Sequence, residues 1–234
     1  MIIYRGYRNK IRLNKVLDKQ KVEIEGLLLN ILPAEVADEL QKTGVATPRY
    51  YEKATVLFTD FKSFSQLADD LSPQEVVTEL NECFVAFDDI IEKYNLEKIK
   101  TIGDSYMCAG GIPTEDDDHV IKMIEASLEI QEFTRDRNQK RIALNLPPWD
   151  IRIGVNTGPL VAGVVGKKKY AYDIWGGTVN VASRMESNGE AGRVNISAAT
   201  YEFIKDKYAC THRGKIYAKN IGDIDMYFVD HALI

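Results

Sequence analysis

Glu97-Lys98-Ile99-Lys100-Thr101-Ile102-Gly103-Asp104-Ser105-Tyr106-Met107-Cys108-Ala109 contains two strand-like runs, 97–102 and 105–109, on either side of a two-residue loop. Gly103-Asp104 suits the centre of a tight hairpin, where the backbone turns through conformations that Gly and Asp tolerate. Two antiparallel neighbours are therefore predicted here. Upstream, residues 54–59 form a compact apolar run fit for a buried strand, and Ser72-Pro73 opens a helical pattern reaching to about Tyr94. Downstream, a second helical pattern covers about 117–144, and a strand is expected over 151–156.

Strand, helix, two strands, helix, strand is the order of a split βαβ unit. The fold class expected is α+β, with a ferredoxin-like βαββαβ core. Additional C-terminal elements follow: a strand near Tyr172, a helix from Thr178, and others ending in a strand at 226–229. Residues 54–234 are read as one globular domain without internal repeats.

The first 44 residues differ. Leu13, Leu17, Gln20, Ile24, Leu27 and Ile31 alternate steps of four and three, a heptad seam with one polar member. So narrow an apolar stripe suits an identical partner helix, or packing on the chain's own domain. Pro33 fits the first turn of a second short helix, Val36 and Leu40 share one of its faces, and Gly44 is placed to end it. Residues 45–53 read as a linker. The abrupt N-terminus reads as the cut end of a longer chain.

A net charge of −5 argues against a nucleic-acid binder relying on bulk positive potential. The three cysteines, Cys83, Cys108 and Cys210, are widely spaced, which suits reduced thiols in the cytoplasm. The three histidines show no zinc-ligand spacing. No apolar run approaches the ~20 residues that span a bilayer. Lys167-Lys168-Lys169 reads as a solvated loop tip, and Gly166-Lys167 lacks the glycine spacing and the Ser or Thr of a P-loop.

Two carboxylates stand out by position. Asp60 ends the apolar run Thr55-Val56-Leu57-Phe58-Thr59, and Asp104 sits at the tip of the hairpin. Taken singly, each reads as a cap or turn former. If the strands are central and adjacent, the two groups meet at one sheet edge, where like charges call for a cation. Mg²⁺ is held by a few carboxylates together with phosphate oxygens.

Three longer stretches change the weight of that pair. Leu57-Phe58-Thr59-Asp60-Phe61-Lys62-Ser63-Phe64, then Lys98-Ile99-Lys100-Thr101-Ile102-Gly103-Asp104-Ser105-Tyr106-Met107, then Tyr172-Asp173-Ile174-Trp175-Gly176-Gly177-Thr178-Val179-Asn180-Val181-Ala182-Ser183-Arg184-Met185 occur in that order. Together they resemble the class III adenylyl and guanylyl cyclase catalytic domain over about residues 54–229. The resemblance implies two Mg²⁺ (or Mn²⁺) ions on Asp60 and Asp104, with the Phe61 carbonyl as a further ligand. It implies backbone amides near Ser63 and Phe64 facing the triphosphate, although the family often has Gly at position 63. Lys100 and Asp173 match the base-reading positions, Asn180 the ribose-orienting residue and Arg184 the residue that stabilises charge on the α-phosphate. Lys219 matches the lysine on the terminal phosphates, in a stretch where the family is richer in Gly and Lys.

Adenine offers an acceptor at N1 and a donor at N6, and guanine reverses both. Lysine only donates and ionised aspartate only accepts, so the pair fits ATP. Guanylyl cyclases usually carry Glu at the Lys100 position. The expected reaction is ATP to cyclic AMP and pyrophosphate; the alternatives are a guanylyl or mixed-specificity cyclase and an inactive dimerisation module. The last would have lost a metal or transition-state residue, and none is missing. In the family the metal aspartates come from one subunit and the remaining groups from its neighbour. This chain has both sets, so a homodimer with both sites at its interface is expected. A sensor module upstream is expected too, with the complete protein free or membrane-attached.

Overall fold

Gly103, at φ 62°, and Asp104 form the expected hairpin turn in a computed structural model that describes residues 2–166 and 170–233. Lys167-Lys168-Lys169 lies outside the described residues. In chain order the elements are α1 (Ile2–Leu29), α2 (Ala34–Thr43), β1 (Arg49–Phe61), α3 (Phe64–Asp69), α4 (Pro73–Lys93), β2 (Glu97–Ile102), β3 (Ser105–Gly110), α5 (His119–Ala143), β4 (Ile151–Val164), β5 (Tyr172–Trp175), α6 (Gly177–Ser187), β6 (Val194–Ser197), α7 (Ala198–Ile204), β7 (Tyr208–Ala218) and β8 (Gly222–Ala232).

Among the described residues the strands form one sheet in the order β2-β3-β1-β4-β6-β8-β7, with β5 paired to β4. Its β2-β3-β1-β4 part, antiparallel throughout, is the ferredoxin-like core. β6 extends it by pairing parallel to β4. The chain divides into two compact units, residues 49–162 with 173–234 and residues 1–48 with 163–172.

In the larger unit β1 is central, so its residues from Ala54 to Phe58 are buried on both faces and read as a continuous apolar run. α4 starts where Ser72 accepts from the Glu75 N–H (3.3 Å) while Glu75 accepts from the Ser72 N–H (2.8 Å), with Pro73 opening the helix. Cys83, Phe87, Ile90 and Ile91 of α4 and Val120, Met123, Ile124 and Ile130 of α5 bury helical stripes in the same cluster as Leu57, Tyr106, Trp149 and Ile153.

Two sequence expectations are corrected here. β1 begins at Arg49, inside the stretch 45–53 read as a linker: Arg49, Tyr50 and Tyr51 pair with Ala162, Val161 and Leu160, and polar side chains had hidden the strand. The short helix α3 was not expected at all.

In the smaller unit α1 ends at Leu29, so Ile31, read as the last seam position, lies in the turn beyond the helix. The other apolar seam residues are uncovered, with Leu13 60%, Leu17 53%, Ile24 64% and Leu27 61% exposed. α2 follows Pro33 at its N-cap and ends at Gly44 in the left-handed conformation, whose N–H reaches the Leu40 carbonyl, as its sequence suggested.

Candidate active site

Pairing of β1 with β4 sets Asp60 opposite Arg152, and pairing with β3 ends at Thr59 and Tyr106, beside the hairpin tip. Asp60 and Asp104 thus meet at one edge of the sheet. The Ser105 hydroxyl donates to Asp60 Oδ1 at 2.8 Å, and the Phe61 N–H donates to Asp104 Oδ2 at 3.3 Å. Burial, and then the charge of Asp60, hold the Asp104 carboxyl above its ordinary range. Arg152 bridges the pair to a third acid: Nη2 donates to Asp60 Oδ2 (2.6 Å) and Nε to Glu186 Oε1 (2.8 Å). Glu186 is also held above its usual range, chiefly by burial, with Asp60 and Asp104 adding to it against the pull of Arg152.

Three neighbouring carboxylates, two of them bonded to one guanidinium, leave excess negative charge, the electrostatic condition for a cation. Among the described residues there is no group of three or more His, Cys, Asp or Glu side chains placed to hold a metal by themselves. The donor set is Asp60, Asp104 and the Phe61 carbonyl. It suits a hard ion that completes its shell with water and substrate phosphate, as Mg²⁺ does. Phe61 cannot swing away. Its ring is buried edge-on against Trp149 (5.4 Å), which also meets Phe64 at 5.8 Å.

Ser63 adopts the left-handed conformation (φ 57°) just before α3. That is a strained choice for a residue with a Cβ, and it fits a position where a glycine would be at ease. Phe64 and Ser65 open α3, so their N–H groups have no partner within the helix.

The other expected residues stand on separate elements. Lys100, at an irregularity in β2, donates through Nζ to Asp173 Oδ2 of β5 at 2.5 Å, and Asp173 Oδ1 accepts from the Ile174 N–H at 2.9 Å. Asn180 and Arg184 lie one turn apart on α6. Asn180 is exposed; Arg184 is half-buried, and its Nε is hidden from solvent without a hydrogen-bond partner. Lys219 is exposed in the turn between β7 and β8. Among the described residues no hydrogen bond or ion pair joins Asp60 or Asp104 to Lys100, Asp173, Asn180, Arg184 or Lys219. The described residues thus hold an acidic group and a separate Lys100–Asp173 ion pair.

Arg152 and Glu186 escaped the sequence reading. Arg152 becomes visible once the antiparallel register is known, because it faces Asp60 directly. Glu186 gives no such signal.

The sequence model of the family described as "Adenylate and Guanylate cyclase catalytic domain" matches residues 46–231. An adenylate cyclase of Mycobacterium tuberculosis is 34% identical over 229 residues, covering 97% of this chain and 51% of the relative. Receptor-type guanylate cyclase gcy-5 of Caenorhabditis elegans is 37% identical over 218 residues, covering 91% of this chain and 19% of the relative. The chain thus spans about half the length of the first relative and a fifth of the second. The guanylate cyclase domain of RhGC from Catenaria anguillulae, solved in complex with GTP, superposes with a TM-score of 0.74 at 32% identity, covering 79% of this chain and 100% of that one. Its extent, its sheet and its paired acids agree with the sequence match: this chain belongs to the class III adenylate and guanylate cyclase catalytic domain family.

Proposed function

We infer that the domain is an adenylyl cyclase that converts ATP to 3′,5′-cyclic AMP and pyrophosphate at sites shared by two copies of the chain. The observation that carries the adenine assignment is the Lys100–Asp173 pair, a donor-only group beside an acceptor-only group at 2.5 Å. Lys100 donates to N1 and Asp173 accepts from the N6 amino group. Guanine would present a donor to the lysine and an acceptor to the carboxylate.

Asp60, Asp104 and the Phe61 carbonyl would hold two Mg²⁺ ions, with Mn²⁺ as a substitute. When bound, these ions polarise the phosphate oxygens and make the ribose 3′-hydroxyl more acidic. The O3′–Pα bond forms as the bond from Pα to the pyrophosphate oxygen breaks, and the 3′ proton is lost to water. Asn180 orients the ribose. Arg184, whose Nε has no hydrogen-bond partner within the chain, stabilises the charge that grows on the α-phosphate. The amides of Ser63 and Phe64 face the triphosphate, and Lys219 meets its terminal phosphates.

A single chain keeps the acidic group apart from the other donors, which supports a homodimer in which each site takes one set from each copy. The uncovered seam of α1 suits a parallel coiled coil that joins the two copies and relays the state of an upstream sensor. Among the described residues no helix is long and apolar enough to cross a membrane. The free thiols Cys83, Cys108 and Cys210 suit a cytoplasmic domain.

Mixing two inactive variants tests the shared site. A one-to-one mixture of Asp104→Ala and Arg184→Ala chains is expected to recover about a quarter of wild-type turnover, because about half the dimers then carry one intact site. A mixture as inactive as its components would mean that each chain builds its own site. Assays of ATP and GTP side by side, with Mg²⁺ and with Mn²⁺, test the base; faster turnover of GTP would replace the adenine reading.

A further inference from the structure

α6, the helix that carries Asn180 and Arg184, is seated by more than apolar packing. At its N-terminal end the Asn156 amide donates to the Thr178 carbonyl (3.0 Å), and the Thr178 hydroxyl donates to the Pro159 carbonyl (2.6 Å). At its C-terminal end the Asn195 amide donates to the Met185 carbonyl at 2.7 Å. Between them β4 runs against the helix backbone at Gly154, where a Cβ would stand 1.8 Å from the Glu186 nitrogen.

The bond from Asn156 ends a longer chain of polar groups. A carbonyl only accepts, so Asn156 must turn its NH₂ toward Thr178 and its oxygen away. That oxygen accepts from the Ser197 hydroxyl at 2.6 Å. With its one proton committed, Ser197 can only accept from Thr200, whose N–H lies at 3.2 Å and whose hydroxyl lies at 3.3 Å. Thr200 faces Thr157 (3.1 Å), Thr157 faces Thr55 (2.9 Å), and Thr55 faces His119 Nδ1 (2.9 Å). The Thr200 N–H already fills the acceptor role of Ser197, so the hydroxyls beyond it can donate in either sense.

Every residue of this chain is buried, from His119 at 2% to Asn156 at 4% and Thr178 at 6% exposure. Apolar side chains would hold the strands together equally well, and this buried polar network, which leaves His119 Nε2 without a partner, adds specificity rather than much stability. Its Asn156 end reaches the first turn of α6.

We propose that Asn156 is a positioning residue for cyclisation: its amide, oriented by Ser197, fixes the seat of α6 and with it the reach of Asn180 and Arg184 to the nucleotide. This rests on the assignment of those two residues to substrate. Asn156→Asp keeps the shape but removes the donor and sets two acceptors against each other. Its kcat is expected to fall about 10- to 100-fold, as for a small misplacement of reacting groups, with KM within about threefold. Asn156→His is expected to recover most of the loss, because neutral imidazole also offers one donor and one acceptor on a planar frame. Should Asn156→Asp not fold, Ser197→Ala removes only the hydroxyl that orients the amide and is expected to lower kcat about three- to tenfold.

The deciding measurement is a double-mutant cycle. In an Asn180→Ala background, Asn156→Asp is expected to cost clearly less than it does in the wild type, because one of the two groups it positions has gone. Penalties that multiply in full, or wild-type kcat in a folded Asn156→Asp dimer, would overturn the positioning role while leaving Asn180 in place. Wild-type turnover by Asn180→Ala itself would instead remove the substrate assignment, and this inference with it.

Discussion

Around Asp60 three acids gather about Arg152 within the same chain, whereas Lys100 and Asp173 form an ion pair of their own and Asn180 and Lys219 face solvent. The first group is assembled by strand register: β1, β4 and one tight turn bring its members together. The second is spread over β2, β5, α6 and the β7–β8 turn, elements distant in sequence. The proposed shared site would draw its acids from one copy and these donors from the other. The contrast also separates two kinds of mutational effect, on charge at one side and on recognition at the other.

Asp104→Ala cuts deepest into this contrast. Loss of a carboxylate from the proposed cation site should lower turnover about 10³-fold or more, the rate equivalent of several kcal/mol of charge stabilisation. The folded state should not suffer, because burial and the neighbouring Asp60 already disfavour the ionised carboxyl. A thermal melt beside a turnover assay checks both parts; a variant that unfolds would assign Asp104 to stability instead. Lys100→Glu acts on the proposed base-reading pair and replaces its ion pair with two carboxylates. It should shift the ratio of ATP to GTP turnover by about 10²-fold or more toward GTP, without changing dimerisation measured by sedimentation. An unchanged ratio would take Lys100 out of base reading.

A third substitution compares the strands beneath the two halves. Burial pushes the Glu97 carboxyl of β2 up from 4.5 to about 7. The unfolded chain then ionises first, so stability falls as pH rises from about 4.5 to about 7 and is level above. Glu97→Gln should be neutral near pH 4 and stabilise by about 1–2 kcal/mol at pH 8, after allowance for partial exposure. Denaturant titrations at the two pH values read the difference, and a gain independent of pH would deny the carboxyl its burial. The smallest effect is expected at Ser63→Gly, which relieves the left-handed strain beside the acidic half. Part of that gain is lost to the freer unfolded chain, leaving about 0.5 kcal/mol. A melting temperature below wild type would show that the Ser63 side chain contributes something the backbone does not.

Features carried by adjacent residues were legible in the sequence. Gly103-Asp104 announced its turn, Ser72-Pro73 announced the start of α4, and Gly44 announced the end of α2. Asp60 and Asp104 were paired correctly because the order of elements already placed β1 beside β3. Arg152 was not found, since nothing near it in sequence reveals a partner 92 positions away; only the β1–β4 register does. The start of β1 was missed because Arg49, Glu52 and Lys53 break the apolar run, although backbone pairing with β4 begins at Arg49. α3 was missed because its six residues are too few for a periodic signal. Seats such as that of Asn156 under Thr178 are invisible for the same reason as Arg152.

Gly154 allows the strand and the helix backbone to touch with no side chain between them. A single methyl there would act as a shim, lifting the helix off the strand while every donor and acceptor kept its chemistry. The molecule thus contains a mechanical adjustment separate from its chemical ones, and Gly154→Ala would show how far catalysis follows distance alone.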